Sequence, residues 1–132
     1  MRKFIPVNKP VVTESDTESV KKVLQSGWIS SEGANIKKFE VKFSKFIGHK
    51  YSVAVSSGTA ALEIAVKSLN LKKNDEVIIP NFTIISNALA VIKLGLKIKL
   101  IDCDLENWNM NLKKVESAIT SKTKAIIATH IY

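Results

Sequence analysis

The chain has 132 residues, a formal charge of +8 and 45% hydrophobic residues, which suits one compact core and leaves little for a second. No run of about 18 apolar residues occurs, and no apolar stretch follows the basic start "MRKFIPVNKP", so neither a membrane helix nor a secretory leader is expected and the cytoplasm is the expected compartment. The single cysteine, Cys103, rules out an internal disulfide and argues against structural zinc; it reads as a small buried residue beside the strand "KIKLI".

The charge is carried mainly by lysines spread along the whole chain. Such a distribution makes a solvated basic surface, whereas nucleic-acid grooves favour arginine forks and aromatic platforms, so no nucleic-acid partner is expected.

In chain order, Thr13-Glu14-Ser15-Asp16 predicts a helix start with Thr13 as the capping side chain. Val20, Val23 and Leu24 form its apolar stripe, and Gly27 follows its end. After the loop-like "WISSEGAN", Ile36, Phe39, Phe43, Phe46 and Ile47 recur at helical intervals up to Gly48.

From residue 51 the rhythm changes. Four β-rich runs, "YSVAV", "EVIIP", "KIKLI" and "AIIATH", alternate with the helical stretches "TAALEIAVKSLN", "TIISNALAVIKLG" and "NLKKVESAI". This is a βαβαβαβ pattern and predicts an α/β fold with a mainly parallel sheet and crossover helices. Gly95 marks the end of the middle helix, Asn111 caps the last one, and the middle helix is so nearly uncharged that it is expected to be buried. The organisation expected is a helical segment over 1–50 and an α/β portion over 51–132. An apolar strand with no helix after it needs either a partner or further chain to cover it.

Hydroxyls and a glycine stand where the first strand hands over to a helix, in "SSGTAAL". Unpaired N–H groups of a first helical turn bind phosphate, and Gly58 lets the ligand approach the backbone. The same residues also read as a capping serine and a permissive turn. Neither the Gly-Lys-Ser/Thr ending of a P-loop nor the spaced glycines of a dinucleotide fingerprint is present, so this turn alone indicates an unspecified anion site.

The ordered segments "IPVNKPVVTESD", "SGWISSEGANIKKFEVKFSKFIG", "AVSSGTAALEIAVKSLNLKKNDEVIIPNFTIISNALAV", "IDCDLENWNMN" and "TKAIIATHIY" resemble the N-terminal part of the DegT/StrS family of pyridoxal-phosphate-dependent nucleotide-sugar aminotransferases. "WISSEGANIKKFE" and "ENWNMNLKKVESAITSKTKAII" are similar to members of the perosamine-synthase type, which aminate a 4-keto-6-deoxyhexose. The resemblance implies the N-terminal portion of a type I aminotransferase fold, so that 51–132 becomes the first part of the large cofactor-binding domain. It also implies active sites shared in a homodimer, a nucleotide-linked keto sugar as acceptor and glutamate as donor.

It further implies that Gly58, Thr59 and Ala60, with Ser57, hold the phosphate of pyridoxal 5'-phosphate. After "EVIIP" the family places an aromatic residue over the pyridine ring; the matching position here is Ile84, with Phe82 two residues earlier, which is a departure. An isoleucine offers an apolar wall without a stacking face. Phe82 reads equally as ordinary core packing.

Trp28 and Ser30 match a segment near the mouth of the active site, as contacts to the sugar nucleotide or the neighbouring subunit, or as loop anchors. His130, in the family's "His-x-Tyr" motif at a strand end, is a candidate to approach the cofactor or a structural histidine. Asp102 and Asp104 lie near another strand end, with nothing in the sequence to fix them as an acid–base pair.

This cofactor chemistry needs a lysine amine that links to the cofactor and an acidic partner for the pyridine nitrogen. In the family both follow the point matching Tyr132, and no lysine here matches that motif. No catalytic residue is therefore nominated, and the chain by itself is expected to be inactive. The competing expectation is a non-catalytic binding or interaction protein that keeps the anion cradle.

Overall fold

The computed structural model describes residues 4–131. Tyr132, the last residue of the His-x-Tyr motif, lies outside them. Internal contacts divide the chain into two compact units, one up to Ala54 and one from Val55 onward.

Among the described residues the first unit carries two helices. α1 spans Glu14–Ser26 and begins with a reciprocal cap: Thr13 Oγ1 accepts from the Asp16 N–H, and the Asp16 carboxylate accepts from the Thr13 N–H at 2.8 Å. That backbone donor, followed by the Thr13 hydroxyl, holds the Asp16 carboxyl below its ordinary range. Gly27 ends the helix at φ +72°, a left-handed conformation that glycine adopts without strain. The stripe of Val20, Val23 and Leu24 forms as expected along one helix, yet no residue of α1 is buried. α2 spans Ala34–Phe46, with Phe39 and Phe43 stacked at 5.6 Å.

The expected strand "YSVAV" is not one. Ser52 Oγ donates to the Glu40 carbonyl at 2.6 Å, and the Ala54 N–H donates to the Glu40 carboxylate at 3.0 Å. A backbone donor of this segment is therefore engaged by a side chain of α2, and Tyr51–Val55 is neither helix nor strand.

The second unit is α/β. It runs α3 (Gly58–Ser68), β1 (Glu76–Pro80), α4 (Ser86–Ile92), β2 (Lys97–Ile101), α5 (Leu112–Ala118) and β3 (Thr123–Ile126). The three strands are parallel in the order β2-β1-β3, one fewer than the sequence pattern implies.

Because side chains alternate along a strand, β1 feeds two cores. Val77 and Ile79 join Val66 of α3 and Ala90 and Val91 of α4 on one face; Ile78 joins Ile101, Met110 and Val115 on the other. This is why "EVIIP" is apolar throughout. β2 lies at an edge and is less covered: Leu100 is exposed, while Ile101 is buried.

The last strand begins and ends earlier than "AIIATH" suggests. The Ile127 N–H still donates to the Ile78 carbonyl at 2.9 Å, but the next donor the ladder needs from β1 would come from Pro80, which has no N–H. His130 therefore lies four residues beyond β3 rather than at its end.

The middle helix is also shorter than "TIISNALAVIKLG". It buries Ser86, Asn87, Ala90 and Val91 but leaves Ile92 exposed. Cys103, expected to be buried, is half-buried, in an isolated antiparallel bridge with Met110. Among the described residues no helix is long and apolar enough to cross a membrane.

Candidate functional site

In an open α/β sheet the loops at the carboxyl ends of the strands, together with helix N-termini, form the ligand edge. Here that edge contains the start of α3, the β1–α4 loop, the β2–α5 loop and the segment after β3.

At the start of α3, Ser57 caps the helix, its Oγ accepting from the Ala60 N–H at 3.2 Å. Among the described residues nothing accepts from the N–H groups of Gly58 and Thr59. Gly58 is not held at positive φ, and no atom lies within 4 Å of where a Cβ would stand. Neither backbone strain nor internal crowding calls for glycine at this position. Open space over two free N–H donors suits a phosphate, whose oxygens accept at such donors without needing a side chain.

The hydroxyls of Thr59 and Ser86 share a 2.8 Å hydrogen bond, which joins the first turn of α3 to the first residue of α4. Beside Ser86, Asn87 is buried at 3% exposure; its Nδ2 donates to Thr83 Oγ1 at 3.0 Å and to Thr129 Oγ1 at 2.8 Å. The start of α4 thus reaches both the α3 turn and the residue before His130. Sequence reasoning missed Ser86, Asn87 and Thr129. The available signal was the polar pair Ser86-Asn87 inside an apolar stretch, since buried polar groups require partners.

His130 is exposed and lines an open cavity of about 540 Å³ with Asp104, Asn109, Lys113 and Thr129. Ile84 lines a different cavity, of about 350 Å³, with Pro80, Ile98 and Leu100. Phe82 does not enter the core: it is half-exposed and leans on Trp108, with ring centroids 5.4 Å apart and planes at 50°. Trp108 is itself at φ +60°, unusual for a bulky residue, and is held by its N–H to the Asp104 carbonyl at 2.9 Å. Phe82 and Ile84 therefore present to different surfaces.

Asp102 and Asp104 do not pair. Lys114 Nζ donates to Asp102 at 2.8 Å and Asn81 Nδ2 donates to the same carboxylate at 3.0 Å, and these donors, Lys114 first, hold the Asp102 carboxyl below its ordinary range. Asp104 instead accepts from the Glu106 N–H at 2.9 Å. Trp28 and Ser30 belong to the first unit, where Gly33 N–H donates to the Ser30 carbonyl at 3.0 Å and Trp28 is 66% exposed.

Residues 10–132 match the profile of the DegT/DnrJ/EryC1/StrS aminotransferase family. Over 130 residues the chain is 42% identical to the GDP-perosamine synthase of Escherichia coli O157:H7, covering 98% of this chain and 36% of that protein. It is 34% identical over 129 residues to the GDP-perosamine synthase of Vibrio cholerae, covering 98% and 35%. The structure is similar to that of E. coli GDP-4-keto-6-deoxy-D-mannose-3-dehydratase with bound hydrated PLP, with a TM-score of 0.85, 29% identity, and coverage of 93% of this chain and 33% of that one. The chain thus spans 36% and 35% of the length of these two curated relatives.

Proposed function

The chain belongs to the DegT/DnrJ/EryC1/StrS aminotransferase family, and from that premise we propose that it supplies the phosphate cradle and flanking walls of a pyridoxal-phosphate site. The enzyme of this reading aminates a nucleotide-linked 4-keto-6-deoxy sugar, with glutamate as the donor. A guanosine diphosphate sugar is favoured, because the relatives it resembles are named for one.

The observation that carries the reading is the start of α3: two free N–H donors beneath a glycine that neither φ nor crowding requires. The donor set fits a phosphate dianion. Gly58 and Thr59 donate from the backbone, while Ser57 holds the turn by capping it and so engages the N–H of Ala60, the third donor expected. The positive end of α3 adds a favourable field for the anion. When bound, pyridoxal phosphate supplies a carbonyl that takes up an amino group and a ring that withdraws electrons from the carbon losing its proton.

On this reading His130 approaches from beyond β3, and one of Ile84 and Phe82, which present to different surfaces, borders the pyridine ring, Ile84 as an apolar wall or Phe82 as an aromatic edge. Trp28 and Ser30 meet the sugar nucleotide or a second subunit of a homodimer. Residues 51–132 are the first part of the cofactor domain and 1–50 an N-terminal helical segment. The residues of this chain bind and orient, and none of its lysines is assigned the covalent link.

The test is Gly58→Val probed with 4'-deoxypyridoxine 5'-phosphate, which keeps ring and phosphate but has no aldehyde to react with the many lysines. The added side chain enters open space, so α3 should stay folded by circular dichroism while affinity falls at least about tenfold, some 1.4 kcal/mol. Unchanged binding by Gly58→Val would remove the cradle from this turn.

A further inference from the structure

The first two residues of α4 face in different directions, toward different walls of the ligand edge. Ser86, 8% exposed, bonds the Thr59 hydroxyl at 2.8 Å; Asn87, 3% exposed, spans Thr83 and Thr129 at 3.0 and 2.8 Å. Buried polar side chains lose their hydration on folding, so they are retained where their bonds specify an arrangement. We infer that Ser86 and Asn87 are positioning residues: Ser86 fixes the phosphate-binding turn through Thr59, and Asn87 fixes His130 through Thr129.

The inference rests on the phosphate-cradle reading and extends it to residues that would not touch the ligand. Its physical basis is connectivity. The α3 turn precedes the sheet and is not continuous with a paired strand, since Tyr51–Val55 is neither helix nor strand. The segment after Ile127 has left the ladder, since β1 offers it no further N–H. Both walls therefore need a side-chain tether, and α4, anchored by Ala90 and Val91 in the core, is the rigid element that carries both. A hydroxyl held by Ser86 also has one fewer orientation to lose when a phosphate arrives.

The experiment follows amide and imidazole resonances of the whole chain during titration with 4'-deoxypyridoxine 5'-phosphate, with circular dichroism as a check on folding. In the natural sequence the Gly58 and Thr59 amides and the His130 ring should shift with one common Kd. Ser86→Ala should weaken binding about two- to tenfold, the equivalent of one hydrogen bond, and Ser86→Thr should restore it. Asn87→Ala should leave the Gly58 and Thr59 shifts in place but cut the His130 shift by at least half.

Should Asn87→Ala not fold, Asn87→Leu keeps the volume with no hydrogen-bonding group and should show the same uncoupling. If the natural sequence titrates but both variants give its Kd and its full His130 shift, the tethers only stabilise the fold and the inference is overturned while the cradle stands. If the Gly58 and Thr59 amides of the natural sequence do not respond, the cradle reading fails and takes the inference with it.

Discussion

Replacing Ile79 by alanine should cost more than replacing Ile78, although both are fully buried neighbours on the same strand. Ile78 is 0% and Ile79 1% exposed. Either change removes three buried carbons, which at about 0.8 kcal/mol each sets a common contribution of about 2.4 kcal/mol. The cavity left behind adds to this in proportion to how little the surroundings can relax.

Ile79 sits among Val66, Val77, Ala90, Val91 and Leu96, held by two helices and braced by further half-buried side chains, so little collapse is open to it. Ile78 sits in a smaller group with Ile101, Met110 and Val115; Met110 and Val115 are 9% and 8% exposed, and the flexible methionine can move in. The expected losses are about 4 kcal/mol for Ile79→Ala and about 3 kcal/mol for Ile78→Ala, within the range for such truncations. Urea unfolding followed by far-ultraviolet circular dichroism gives both from the midpoint shift at constant slope. An equal loss, or a larger one for Ile78→Ala, would refute the two-core account of β1.

Two further predictions concern caps and charges. Asn111→Ala removes the side chain that accepts from the Lys114 N–H at 3.0 Å, and should destabilise the second unit by about 1 kcal/mol, with Asn111→Ser recovering most of it; equal stability of the alanine variant would show that water replaces the cap. Asp102 has its carboxyl held below the ordinary value of 3.8 by Lys114 and Asn81, so the folded state binds its proton less firmly than the unfolded chain. The stabilisation is complete above 3.8 and is lost as the pH falls through the lowered folded value. The advantage of the natural sequence over Asp102→Asn should be level from neutral pH down to mild acid and vanish below that window. An advantage that persists in strong acid would point to packing rather than charge.

The capping residues Thr13, Ser57 and Asn111 could be recognised in the sequence because each bonds an N–H three residues ahead. β1 and β2 were bounded correctly, the central strand more plainly than the edge strand. A central parallel strand is buried on both faces, and "EVIIP" shows it as an uninterrupted apolar run. The turn at Ser57–Ala60 was legible as chemistry, with cap and cradle as its two readings, and the structure leaves open space at Gly58. Ser57 caps the turn, and the free donors beside it remain available for an anion.

The sequence alone determined the α/β class, the family and the order of the elements apart from a first strand that does not form, since these depend on local periodicity, capping side chains and ordered motifs. Tertiary structure decided which extended segments pair. Tyr51–Val55 has the composition of a strand but loses a donor to Glu40, and the run ending at His130 leaves the sheet where Pro80 has no N–H. It also decided which polar residues hold the site together: Ser86 meets Thr59 across 27 positions, and Asn87 meets Thr129 across 42. Hydrogen bonds over such separations exist only after the core has brought the segments together, because their partners are chosen by packing and not by distance along the chain.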